Sequence, residues 1–181
     1  IDSEIVVTAQ KRAESISDVP LTVSALSGEA LKEIGVDEFD EVAAYISGLI
    51  VQEQSPNNPG FVIRGITSDS GSAQIAPRVS IYYNGVDVSR SRGSYFDLFD
   101  IERIEVVKGP QATLFGTAST IGAISVITNR PTPEESASAS VSYGNFNAVQ
   151  ANAVVNGGTE FISGRLAAVY KYRDGYVRNI G

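Results

Sequence analysis

The side chains of this 181-residue chain that could do chemistry are few in kind, because Cys, His, Met and Trp are all absent. That removes disulfides, Cys/His metal sites, haem ligation, His-based triads and Cys nucleophiles. Catalysis would fall to carboxylates, Ser, Lys, Arg or Tyr. The best-spaced carboxylate pair, Glu102 and Glu105, stands at i, i+3 in a segment that alternates like a strand. Such residues point to opposite faces and cannot flank one glycosidic bond. Asp37, Glu38, Asp40 and Glu41 cluster at a predicted helix start. The helix dipole favours anions there, so the cluster reads as a solvated helix start and not as a metal or acid/base site. No G-x-x-x-x-G-K-[ST] phosphate loop is present. The chain reads as a non-enzyme that carries no cofactor and no metal.

What remains is binding chemistry. Arg90 and Arg92 precede Tyr95 and Phe96 in a polar stretch, a pattern suited to an anionic or ring-bearing ligand. Arg64, Arg103, Glu105 and Lys108 are charges inside segments that otherwise pack. Lys and Arg number 14 against 21 Asp and Glu, a net charge of −7, which is a poor match to nucleic acid. All of that excess lies in residues 1–48; residues 49–181 are neutral. A hydrophobic fraction of 43% is enough for a core.

Stepping along the elements, Ile5-Val6-Val7-Thr8-Ala9 is β-branched and extended, and polar residues 11–18 follow. Residues 1–18 read as an extended, mobile tail. Residues 19–25 alternate as a strand. Ser27 caps a helix over 28–34 that Gly35 ends. Asp37 is predicted to cap a second helix, whose Phe39, Val42, Ala43 and Ile46 form one buried stripe before Gly48. Strands are expected at 49–53, 60–66, 79–83, 86–88, 101–108 and 123–128. Asn84-Gly85 between β-rich runs is the strongest local hairpin signal. Pro110 is expected to open a short helical turn that Gly116 ends. Polar loops fall at 54–59, 67–77 and 89–94. Pro131 and Pro133 mark a linker.

Beyond the linker the texture changes. Three runs of about ten residues alternate apolar with polar side chains: Ala137, Ala139, Val141, Tyr143; then Val149, Ala151, Ala153, Val155; then Ile162, Leu166, Ala168, Tyr170, Tyr172. Tyr143, Phe146, Tyr170, Tyr172 and Tyr176 stand near the run ends, where transmembrane barrels carry aromatic girdles. Membrane lipid is the expected neighbour of the apolar face. A soluble meander with one wet face has the same alternation. Three strands cannot close a barrel, and open edges cannot sit in lipid, so more strands are expected beyond Gly181. The chain has no initial Met and no basic-then-apolar leader, and is read as a mature or trimmed product.

Several ordered motifs together resemble the N-terminal part of a TonB-dependent outer-membrane receptor. Glu4-Ile5-Val6-Val7-Thr8-Ala9 resembles the TonB box, and Asp18-Val19-Pro20 the opening of the plug. Phe61-Val62-Ile63-Arg64-Gly65 resembles its Ile-Arg-Gly element, and Tyr82-Tyr83-Asn84-Gly85-Val86 its Asp-Gly-Val hairpin. The most specific piece is the run from Ile101 through Glu105-Val106-Val107-Lys108-Gly109-Pro110-Gln111, with Leu114-Phe115-Gly116 after it. Two departures stand out: Ile121 replaces the first of the family's paired glycines, and Thr117-Ala118 its Arg-Asn.

The resemblance implies a bacterial outer-membrane protein whose TonB box, Glu4 to Ala9, faces the periplasm. Its fold would be an α+β plug followed by the first antiparallel strands of a transmembrane β-barrel. The leader would span 1–17, the plug 18–133 and the first barrel strands 134–181. The implied function is TonB-dependent uptake of an extracellular ligand, most often in the family a ferric siderophore, with the plug gating the lumen. Cobalamin or an oligosaccharide is the alternative cargo, and a barrel-less periplasmic or surface interaction domain the alternative class. The C-terminal domain of TonB is the implied partner, docking by strand addition. Apical plug residues for ligand are Gln54, Asn57, Asn58, Ser68, Asp69, Ser70, Arg90, Arg92 and Tyr95. Arg64, Arg103, Glu105 and Lys108 are the implied plug–barrel contacts.

Overall fold

A computed structural model of the chain describes residues 6–8, 12, 14–36, 38–55, 58–67, 78–89, 97–111 and 119–175; the side chains of 53–55, 58 and 59 lie outside that description. The chain divides into two units, Ile1–Thr128 and Asn129–Gly181. Among the described residues no helix is long and apolar enough to cross a membrane, which says nothing of a β-barrel.

The first unit begins with two short strands, β1 (Val6–Val7) and β2 (Glu14–Ser15), paired antiparallel. Strand β3 (Thr22–Ser27) leads directly into helix α1 (Gly28–Ile34). The Ser27 hydroxyl accepts from the Ala30 N–H at 3.2 Å, and Gly35 at φ +71° closes the helix. Both caps fall where the sequence places them, since a β-region Ser and a left-handed Gly satisfy the orphan groups at each end.

The expected second α-helix is instead a short 3₁₀ helix, Glu41–Tyr45. Asp40 stands before it in helical conformation without a side-chain cap, and Ile46 is already extended. Asp37 lies outside the described residues. The apolar stripe is nonetheless buried at Phe39, Val42 and Ile46. The short helix presents Val42, and its flanks bring Phe39 and Ile46 to the same core, so the spacing cannot tell it from a longer helix.

Three strands follow, β4 (Leu49–Ser55), β5 (Asn58–Ile63) and β6 (Ile66–Thr67), as an antiparallel sheet in the order β4-β5-β6. The loop expected at 54–59 is therefore shorter, because Gln54 belongs to β4 and Asn58 to β5. Pro59 pairs with Glu53 on one side, while β6 reaches only Val62 and Ile63 on the other. The missing N–H of Pro59 thus breaks no ladder.

The central sheet is completed by β7 (Val79–Tyr83), β8 (Val86–Asp87), β9 (Ile101–Lys108) and β10 (Gly122–Thr128), in the order β3-β9-β10-β7-β8. All pairs are antiparallel except β10 with β7. Asn84 at φ +49° and Gly85 at φ +82° make the tight connection of β7 to β8. Two left-handed residues in succession match the twist of the strands they join.

Alternation on β9 sends its side chains to two different cores. Ile104 and Val106 join Leu31, Phe39, Val42, Phe61, Ile63, Ile81 and Ile124 in the larger one. The rings of Phe39 and Phe61 meet there at 5.7 Å and 58°. Val107 packs on the other side with Val7 and Val19, flanked by Ile16, Leu21, Val23 and Ala25. The leader is therefore not a free tail: its described residues cover the second face of the sheet, with Val7 fully buried.

The second unit is an antiparallel sheet of β11 (Ser136–Gly144), β12 (Ala148–Gly158) and β13 (Ser163–Tyr172). Val149 opposes Tyr143 and Tyr172, and Val155 opposes Ala137 and Leu166, so one face is apolar throughout. Val141, Tyr143, Leu166 and Tyr170 on it are exposed. Asn156 reaches off β12 to the linker. Its amide donates to the Thr132 hydroxyl at 2.8 Å and the Glu134 carbonyl at 2.6 Å, and its oxygen accepts from the Thr132 N–H at 3.1 Å.

Candidate functional site

Strand β9 carries four charged side chains, Glu102, Arg103, Glu105 and Lys108, and Arg103 and Glu105 share with Val107 the face that the leader covers. Glu105 is 1% exposed. Its Oε1 accepts from the Thr8 N–H at 2.7 Å and from Arg103 Nε at 2.7 Å. The Thr8 hydroxyl lies 3.1 Å from Oε1 and 3.3 Å from Oε2. Arg103 also pairs with Glu102 through Nη1. A buried carboxylate is tolerable only when charge and hydrogen bonds compensate it, and here both come from two neighbours.

On the opposite face of β9 from Glu105 stands Lys108, within electrostatic range of Arg64. Lys108 Nζ donates to the Ser24 hydroxyl at 2.8 Å. Burial first, and the Arg64 guanidinium second, pull the Lys108 ammonium below its ordinary pKa. Arg64 is exposed at φ +53°, in the turn between β5 and β6. Its N–H donates to the Gly48 carbonyl at 2.8 Å, which fixes the turn. Two cations held within electrostatic range present a surface that would attract carboxylates.

Of the four charges expected to meet a barrel wall, Arg103, Glu105 and the half-buried Lys108 are engaged inside the unit, while Arg64 is exposed. Of the six leader residues, Val6, Val7 and Thr8 are described; Glu4, Ile5 and Ala9 lie outside the described residues. So do Asn57, Ser68, Asp69, Ser70, Arg90, Arg92 and Tyr95, the turn expected after Pro110, and the side chains of Gln54 and Asn58. Among the described residues no group of three or more Asp or Glu is gathered to hold a metal ion.

Sequence reasoning missed the Thr8–Glu105 contact and the apolar cluster around Val7. The signal available was Val107, an apolar residue on the face of β9 that the alternation assigns to charges. An apolar residue there means that face too is covered.

Comparison with known proteins follows the same outline. Residues 15–123, more than half of the chain, match the model of the TonB-dependent Receptor Plug Domain. The pesticin receptor of Yersinia pestis is 32% identical over 135 residues, covering 72% of this chain and 19% of that receptor. The ferric aerobactin receptor of Klebsiella pneumoniae is 28% identical, covering 97% of this chain and 24% of that receptor. The chain thus spans about a fifth to a quarter of the length of these relatives. Among solved structures, the pyoverdine outer-membrane receptor FpvA from Pseudomonas aeruginosa, bound to pyoverdine, superposes with a TM-score of 0.77 at 21% identity. That superposition covers 93% of this chain and 24% of FpvA.

Proposed function

The chain belongs to the plug-domain family of TonB-dependent receptors, proteins of the bacterial outer membrane, and we propose that it is the gating part of a receptor for TonB-driven uptake of a ferric siderophore. The observation that carries this reading is the succession of two units. A plug-type α+β unit is followed by a separate antiparallel sheet with one exposed apolar face. Strands of nine to eleven residues with such a face have the length and pattern for a membrane barrel wall.

On this reading the leader is 1–17, the plug 18–133 and the first barrel strands 134–181. The segment from Glu4 to Ala9 is the docking strand for the C-terminal domain of TonB. Strand addition takes its affinity from main-chain hydrogen bonds, so an extended, β-branched segment suits it. The plug stops the lumen, and Arg64 and Lys108 meet carboxylates of the barrel wall. A hydrated charged contact releases more readily than an apolar one, which suits a stopper that must move. The siderophore meets the apical loops that carry Gln54, Asn57, Asn58, Ser68, Asp69, Ser70, Arg90, Arg92 and Tyr95. The names of relatives support the cargo class: one is a ferric aerobactin receptor, and FpvA was solved with pyoverdine.

Two measurements test this. A peptide of residues 1–12 is expected to bind the TonB C-terminal domain, and Val6→Pro to abolish binding by removing a backbone donor. Cells producing the whole receptor are expected to take up iron-55 as ferric aerobactin or ferric pyoverdine only when TonB works. Uptake that ignores TonB, or an intact peptide that does not bind, overturns the reading.

A further inference from the structure

The seat of Thr8 on β9 bears on the docking strand itself. Main-chain hydrogen bonds are what strand addition offers a partner. Here the Thr8 N–H is already given to Glu105, and Val6 and Val7 are paired with Ser15 and Glu14. The Val7 side chain is fully buried against Val19 and Val107. A partner strand cannot take the Thr8 amide while Glu105 holds it. The grip is specific, because one carboxylate reads both the amide and the hydroxyl of Thr8. Arg103 holds that carboxylate in place from the adjacent position on the same face of β9.

We propose that Glu105, positioned by Arg103, is a latch that keeps the docking strand closed on the plug, so that engagement by TonB requires release of Thr8. This rests on the reading of residues 4–9 as that strand. Release has a second effect on the sheet. Lifting Val7 uncovers Val107 and the carboxylate of Glu105 together, on a face that Val23 and Ala25 share. An event at the leader thus bares that face of the central sheet without any further contact.

The test compares three affinities for the TonB C-terminal domain: the free peptide 1–12, the whole chain in detergent micelles, and the whole chain with Glu105→Leu or Thr8→Val. A closed latch lowers apparent affinity by the fraction of molecules that are open. The chain is expected to bind at least about tenfold more weakly than the peptide, and Glu105→Leu to recover most of that factor. Thr8→Val, which removes only the hydroxyl, is expected to recover part of it. Hydrogen exchange guards against simple unfolding: the amide at position 8 should exchange faster in both variants, while the amides of Ile124 and Val126 stay protected. Equal affinity of chain and peptide, or variants that change neither binding nor Thr8 exchange, overturns the latch and leaves the docking strand standing. A peptide that does not bind TonB overturns both.

Discussion

Asn156 and Thr132 hold each other as two peptide groups would, with the Thr132 N–H on Asn156 Oδ1 at 3.1 Å and the Asn156 amide on the Thr132 hydroxyl at 2.8 Å. The Thr132 carbonyl is a further acceptor at 3.3 Å. The linker around Pro131 and Pro133 lies outside the strands, and this one buried side chain supplies hydrogen bonds of the kind a strand would. Replacement by Ala leaves the Thr132 N–H and the Glu134 carbonyl without that partner, at a cost on the order of 1–3 kcal/mol. Faster hydrogen exchange at Thr132 in Asn156→Ala is the expected result. Asn156→Asp, which keeps the acceptor, should fall between the two. Unchanged exchange at Thr132 would show that the linker is held by something else.

Gly28 lies where the first residue of α1 passes over β9, and a Cβ there would stand 1.8 Å from the Ile101 carbonyl oxygen. The obstacle is backbone and cannot swing aside. Gly28→Ala should lower stability by about 2 kcal/mol or more, as an overpacked core site does. At Gly35 a Cβ meets nothing, so Gly35→Ala bears only the conformational strain of φ +71°, about 1 kcal/mol. Urea unfolding of the two variants separates them, and equal losses would argue against a close crossing of α1 and β9.

Val7→Ala removes two methyl groups from the apolar cluster with Val19 and Val107. The local loss is about 1–2.5 kcal/mol from lost transfer energy and the void left behind. A leader that opens separately from the sheet predicts that exchange at Val7 and Thr8 rises in this variant while the β9 and β10 amides change little. A uniform fall in protection over the whole sheet would mean that leader and sheet open only together.

Lys108 makes a prediction about pH. Its folded-state pKa lies below the ordinary lysine value, so near that range the unfolded chain binds more protons and stability rises with pH. The charged form is therefore disfavoured at neutral pH, and the disadvantage is relieved as pH climbs toward 10.5. Tyr83, whose phenol burial and Asp100 push up, gives the opposite slope above pH 10. That slope is common to variant and parent and cancels in the comparison. Lys108→Gln should be at least as stable as the parent at pH 7, with the difference shrinking by pH 10.5 in urea unfolding. A Gln variant less stable at pH 7 would show that the Ser24 hydrogen bond outweighs desolvation.

Much of this architecture was readable from local pattern. The strand at Ile101–Lys108 has the boundaries that alternation predicts, and Ser27, Gly35 and Asn84-Gly85 do the work their residue types suggest. Those signals are local, because caps and tight turns are decided within four residues. The parallel pairing of β10 with β7 was not readable, since it joins segments more than forty residues apart. Nor was the docked leader. Val7, Ile16, Val19 and Leu21 belong to no single helical or strand period, and they become one surface only when a hairpin brings them together over Val107. The shortened helix at Glu41–Tyr45 failed for a third reason: a short helix with its flanking residues buries the same stripe as a longer one.

The sheet of β11, β12 and β13 leaves the outer edges of β11 and β13 without a partner among the described residues, beside an aliphatic and tyrosine-rich face turned outward. Unpaired edges next to bare apolar surface are templates for growth. Produced alone in aqueous buffer, this chain should pile up strand on strand into insoluble material. Refolding from urea into micelles, which cloak that face, is the route by which it can be handled as single molecules.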